Sequence, residues 1–184
     1  MWFFMTLYAQ NVLGYTPIEA GLALVPSSLA VVAGSKLAPR LMRRIGARNV
    51  AALGVAVTVA GFFWQSTMTE HGVYVTTIML PGILMMAGAG LAMTPLASLA
   101  TSGAAAADAG LVSGLVNTSR TLGGALGLSV LSTVAASRSA GRSDPAGLTH
   151  GYAGAFLWGG SILLVALVIL IAGLSGGRGK ASAQ

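Results

Sequence analysis

Ser113, Asn117, Arg120, Gly124 and Gly127 recur at spacings of three and four, which puts them on one face of a helix. Leu111, Leu115, Leu122 and Leu126 fall on the opposite face. The leucine side suits lipid. The other side is small and polar, and suits close helix packing or a water-filled cavity. Gly110-x-x-x-Gly114 and Gly123-x-x-x-Gly127 add small-xxx-small packing signals. Arg120 sits well inside this otherwise apolar run. An arginine there costs at least about 2.5 kcal/mol on insertion scales, so it marks a functional position by default. Its chemistry is to hold an anionic group or helix carbonyls.

Further polar residues interrupt the other apolar runs: Gln10, Ser27, Ser28, Gln65, Thr94 and Ser98. Each alone reads as a packing or hydrogen-bonding residue, and together they could line a cavity. Arg120, Asn117, Ser113, Gly124, Gln10, Gln65 and Thr94 are the candidate lining of a substrate pathway. The acids Glu19, Glu70, Asp108 and Asp144 all lie at run ends or in connections, as do His71 and His150. A proton relay needs a titratable group within the membrane. The coupling site is therefore expected outside this stretch.

A second constellation is cationic. Lys36, Arg40, Arg43, Arg44 and Arg48 fall within thirteen residues, between two apolar runs. Lys and Arg accumulate in cytoplasmic loops, so this segment sets orientation. Enzyme chemistry finds no comparable support. The chain has no cysteine, which excludes disulfides, thiolate zinc sites and thiol nucleophiles. Gly88-Ala89-Gly90 lacks the third glycine and the βαβ setting of a dinucleotide loop, and no phosphate-loop lysine is present. Gly159-Gly160-Ser161 partly resembles the nucleophile turn of rhomboid-type proteases, but the following glycine is absent and neither histidine lies in a span. No enzyme activity, metal or organic cofactor is expected.

These residues need elements to hold them, and composition says which. Of the 184 residues, 55% are hydrophobic and 8% charged, with mean hydropathy +0.81. Soluble domains carry about 25% charged residues. Lipid is the expected solvent, and the net charge of +6 reports cytoplasmic loops rather than nucleic-acid binding. A spanning helix needs about 20 apolar residues. Five runs meet this: roughly 18–37, 50–68, 73–100, 111–136 and 152–174. A shorter run, 1–13, reads as part of a helix, with a re-entrant or surface segment as the alternative. The expected architecture is an all-α, polytopic transmembrane helical bundle over 1–174 with a cytoplasmic tail at 175–184. Segments 38–49 and 101–110 are expected as cytoplasmic loops, with 14–17, 69–72 and 137–151 on the other side. Trp2, Trp64, Tyr74, Tyr152 and Trp158 fall near the membrane edges. Pro26, Pro81 and Pro95 interrupt spans, which lipid tolerates only where neighbours satisfy the freed carbonyls.

Three stretches resemble the major facilitator superfamily, in its fourteen-helix drug:proton antiporter branch. Tyr8 through Leu22, with Pro26 following, resembles a helix–short external turn–helix element of the C-terminal half. Gly34, Arg40, Arg43, Arg44, Gly46 and Arg48 resemble a degenerate copy of the cytoplasmic signature between the second and third helices of each half. The acidic residue of that signature is missing, and Pro39 and Arg40 stand in its neighbourhood. Ala109 through Gly127 is similar to the Gly-rich penultimate helix. The resemblance implies a C-terminal six-helix half with a truncated first helix, from a proton-driven exporter of small amphipathic compounds in a bacterial inner membrane. It implies that the coupling carboxylates lie in the other half, and that the cationic loop latches one conformation. Its partners would be the lipid bilayer, a small-molecule substrate, and the missing N-terminal half or another copy of the chain. The competing reading is a truncated, non-transporting membrane protein that packs against a partner half.

Overall fold

The computed structural model describes residues 1–102, 105 and 108–176, with side chains as far as residue 172. Every regular element among these residues is helical: α1 (Trp2–Asn11), α2 (Pro17–Ala23), α3 (Val25–Gln65), a π-helical turn (Val75–Met79), α4 (Leu80–Thr101), α5 (Ala109–Ser139) and α6 (Pro145–Gly176). Among the described residues, three stretches are long and apolar enough to cross a membrane: Pro17–Gln65, Val75–Thr101 and Pro145–Ala172. The helix α5 is long enough, at 31 residues, but is not among them. The polar face that carries Asn117 and Arg120 lowers its hydropathy.

Residues 38–49, expected as a loop, are helical. The two flanking spans merge into α3, a single 41-residue element broken only at Gly46, whose φ of 83° and ψ of 154° are non-helical. That region of backbone space is essentially reserved for glycine. Arg, Leu, Met and Ala before it are good helix formers, and the helix runs through Pro39 without breaking. Both limbs of α3 reach the same turns of α4. A Cβ added at Gly90 would run into the Val31 carbonyl on the first limb, and one at Gly88 would lie 2.6 Å from the Gly54 carbonyl on the second. The chain therefore doubles back at Gly46, and α4 lies in the cleft between the limbs. Ser35 Oγ donates to the Gly90 carbonyl (3.3 Å), and Thr58 Oγ1 to the Met85 carbonyl (3.4 Å). This is association by small residues and hydrogen bonds, which suits lipid, where apolar burial gives no driving force between helices.

The prolines are accommodated locally. Pro26 interrupts the helix between α2 and α3, and Tyr74 Oη donates to the Ala23 carbonyl at that break (3.1 Å). Thr16 caps α2 with a reciprocal capping box to Glu19, and Pro17 occupies the first turn. The longer connection expected at 137–151 shortens, because α5 runs to Ser139 and α6 starts at Pro145. Ala140 (φ 51°) and Gly141 (φ 75°), both left-handed, make the turn.

The short first run is a helix, Trp2–Asn11, with one side packed into the core. Phe4, Met5, Tyr8 and Ala9 are buried. Phe4 meets Phe156 at 6.2 Å between ring centroids, and Phe156 meets Phe62 at 5.7 Å, joining α1, α6 and α3. Tyr8 Oη donates to the Thr69 carbonyl.

Candidate functional site: the open face of α5

The last turns of α5 pack on α6. Ala135 is buried, and a Cβ at Gly151 of α6 would lie 2.6 Å from its carbonyl. The first two-thirds of α5 are different. Gly110, Gly114, Gly123, Gly124 and Gly127 have no atom within 4 Å of where a Cβ would sit. Ser113, Asn117, Arg120 and Gly124 are all exposed. The small-xxx-small face is thus real as a helix face but bare within this bundle. Leu111, Leu122 and Leu126 on the other side are exposed as well.

Arg120 lies eleven residues into α5, about 17 Å along its axis at the helical rise. It borders a groove of about 520 Å³ between α4 and α5, with Met93, Leu96 and Ala97 on one wall and Leu115, Val116 and Ser119 on the other. Ligand sites for small molecules commonly fall in this size range and combine an apolar lining with few polar groups. Arg120 enters no ion pair among the described residues, whose salt bridges are His71–Glu70 and Arg142–Asp144. The groove therefore offers one guanidinium, with the Ser119 hydroxyl beside it, in a largely apolar cleft.

The seven candidate pathway residues are not brought together. Only Arg120 lines this groove. Ser113, Asn117 and Gly124 share its helix, and Thr94 is exposed on α4 beside the groove-lining Met93. Gln10 is half-buried on α1. Gln65 is 1% exposed, inside the packing of α3 against the π-helical turn. There its Nε2 donates to the Thr77 carbonyl (2.8 Å), while its Oε1 has no partner. Gln65 is a structural residue here, not an open pathway contact. Met93, Leu96 and Ala97 escaped the sequence reading because an apolar residue on an apolar helix carries no sign of which neighbour it meets.

In the cationic signature, Gly34 is buried against α4, where a Cβ would collide with the Ala87 carbonyl. Arg40, Arg43, Arg44, Gly46 and Arg48 are exposed around the turn of α3. At the opposite end, the Arg142 guanidinium beside Asp144 (2.6 Å) holds that carboxyl below the usual carboxylate range and is itself raised by it. No group of three metal-ligating side chains occurs among the described residues.

Long apolar helices, glycine-mediated contacts and a groove open to one side define a multi-pass membrane bundle of the transporter type. Residues 1–128 match the Major Facilitator Superfamily, and the chain belongs to that family, in its drug-exporter branch. It is 44% identical over 171 residues to the cephamycin export protein CmcT of Amycolatopsis lactamdurans, covering 92% of this chain and 35% of that protein. It is 32% identical over 181 residues to the puromycin resistance protein pur8 of Streptomyces alboniger, covering 92% and 36%. To the tetracenomycin C resistance and export protein of Streptomyces glaucescens it is 31% identical over 137 residues, covering 74% and 25%. The chain thus spans about a third of the length of the first two of these relatives.

Proposed function

We propose that this chain forms the C-terminal six-helix part of a proton-coupled efflux antiporter that exports small amphipathic compounds. One observation carries the reading: relatives named for antibiotic export or resistance align over 92% of the chain, but with only about a third of their own length. The groove beside Arg120 would then form one wall of the substrate pathway, with the other wall supplied by a second helical bundle. Transporters of this kind bind near the midplane, where two such repeats meet. The open face of α5 fits that position, because a polar helix face left in lipid is costly.

In this reading the protein is a multi-pass protein of a bacterial inner membrane. The Gly46 turn, the 101–110 connection and the C-terminus face the cytoplasm. A proton gradient supplies the energy, with the coupling carboxylates in the other bundle. The partners are the bilayer, the exported compound and that bundle, or a second copy of this chain. The reading is transport rather than catalysis. The alternative of a non-transporting partner protein gains no support from relatives named as exporters.

The test starts with the mass of the native polypeptide, detected in source membranes with an antibody to the tail from Arg178 to Gln184. A band well over twice 18.4 kDa is expected. That polypeptide, reconstituted in vesicles, should then move an amphipathic dye against an imposed proton gradient. A band near 18.4 kDa, or a full-length protein whose transport ignores the gradient, would overturn the proposal.

A further inference from the structure

The first limb of α3, with α2 before it, carries one exposed stripe that changes chemistry abruptly. Leu22, Val25, Leu29 and Val32 are exposed at spacings of three and four. The same spacing continues through Lys36, Arg40 and Arg43, all exposed. The opposite side of the limb is the packed one, with Gly34 and Ala38 buried toward α4. The stripe therefore looks away from the bundle along its whole length, first as bare aliphatic surface and then as bare cations. From Leu29 to Arg40 is eleven residues, about 17 Å of helix, close to half of an approximately 30 Å hydrocarbon core.

At the cationic end lies a shallow groove of about 360 Å³, formed by Arg40, Arg43 and Arg44 together with Leu37 and Leu41. The three arginines enter no ion pair among the described residues. Three of the four acids, Glu19, Glu70 and Asp144, lie at the other end of the bundle, and Asp108 stands at the start of α5. Guanidinium groups match phosphate oxygens bidentately, and the leucines alongside match an acyl chain where it joins the headgroup.

We propose that this surface is a binding site for an anionic phospholipid of the cytoplasmic leaflet, with its phosphate on Arg40, Arg43 and Arg44 and its chains along Leu29 and Val32. The stripe reproduces the depth profile of one lipid monolayer, hydrocarbon followed by phosphate. An anionic headgroup is favoured over a zwitterionic one because the latter would bring its own ammonium against three unneutralised guanidiniums.

The experiment uses the native polypeptide carrying this sequence, purified in detergent and doped with phosphatidylglycerol or phosphatidylcholine of identical chains. Retained lipid is read by native mass spectrometry and stability by the unfolding midpoint. The wild type should keep phosphatidylglycerol preferentially and unfold at a higher temperature with it. Arg40→Gln, Arg43→Gln and Arg44→Gln together should erase that preference, each arginine being worth roughly fivefold in binding. The midpoint in phosphatidylcholine should not change. A single Arg43→Gln variant gives the same reading, on a smaller scale, if the triple variant does not fold. Equal retention of phosphatidylcholine would overturn the proposal, as would a preference that survives the substitutions. An equal shift from inorganic phosphate alone would assign the site to a free anion instead. A lowered midpoint of Arg43→Gln in phosphatidylcholine would assign the arginines to a protein contact.

Discussion

The Gln65 side-chain amide donates to the Thr77 carbonyl across 2.8 Å, and Thr77 is the residue whose α-helical donor would be the N–H that Pro81 lacks. A side chain of α3 thus repairs a backbone defect at the entry to α4. The ladder there is already loosened to a π-helical turn at Val75–Met79, with the Leu80 N–H bonded to the Val75 carbonyl. Such turns often mark positions where a helix changes shape. Gln65→Leu should cost about 1 kcal/mol or more, because it strips a part-buried carbonyl of its side-chain partner. Adding Pro81→Ala should recover part of that loss by restoring the main-chain donor. Unfolding midpoints of the two single variants and the double variant check this, and strictly additive changes would sink the idea.

Glycine contacts separate two kinds of helix face. Gly34→Leu should prevent close packing of α3 on α4, since even a Cβ there meets the Ala87 carbonyl. The bundle should misfold or be degraded, with loss of protein from the membrane fraction. Gly124→Leu meets nothing within 4 Å and should leave insertion and abundance intact. If the face of α5 closes against a second bundle, the same variant should still lower transport severely. Abundance measured beside transport distinguishes the two variants, and an active Gly124→Leu protein would place that face in lipid.

The hairpin of α3 depends on a conformation rather than a contact. Gly46 has φ 83° and ψ 154°, with no atom within 4 Å of a future Cβ. Gly46→Ala should therefore cost about 1–3 kcal/mol through backbone strain alone. The unfolding midpoint should fall further for Gly46→Ala than for Ala47→Gly, one residue on, which costs only the helix-propensity difference of about 1 kcal/mol.

Much of this bundle was legible in the sequence, for reasons that also explain what was not. Apolar runs at the length of a bilayer announced the spans, and the intramembrane cost of Arg120 singled it out. The stretch around Arg40 and Arg44 read as a loop because it is charged. Charge reports exposure to water, whereas arginine is a good helix former, so the helix runs on until Gly46. The same confusion lengthened the expected connection at 137–151. Gln65 read as a pathway residue because polarity in a span is visible and its partner, a carbonyl freed by Pro81, is not. The walls of the groove, Met93 and Leu96 against Leu115 and Val116, depend on which helices adjoin, and one chain's periodicity does not encode that.

Arg120→Ala tests the proposed pathway most directly. Arg120 is exposed, so its loss removes no packing and leaves no buried partner within this bundle. Abundance in the membrane should be unchanged or improved, since the arginine is unfavourable during insertion. Transport by the native polypeptide should fall at least about tenfold, the effect of losing roughly 1.4 kcal/mol from a charge-assisted contact. Arg120→Lys should recover only part of it, because an ammonium keeps the charge but not the planar fork. Normal transport by a well-expressed Arg120→Ala protein would remove this residue from the pathway.

The Arg142–Asp144 pair gives a pH signature at the opposite end of the bundle. Arg142 holds the Asp144 carboxyl below its ordinary value, so the pair contributes stability above the unfolded carboxylate pKa of about 4. That contribution fades as the pH falls below about 4 and through the lower folded value, because protonation ends the attraction. Asp144→Asn should therefore unfold at a slightly lower temperature than wild type at pH 7, and the gap should narrow toward pH 3. Both groups are open to solvent, so high salt should shrink the gap at neutral pH as well. A gap that persists unchanged at pH 3 would mean that the side chain acts through its hydrogen bonds to the turn rather than through its charge.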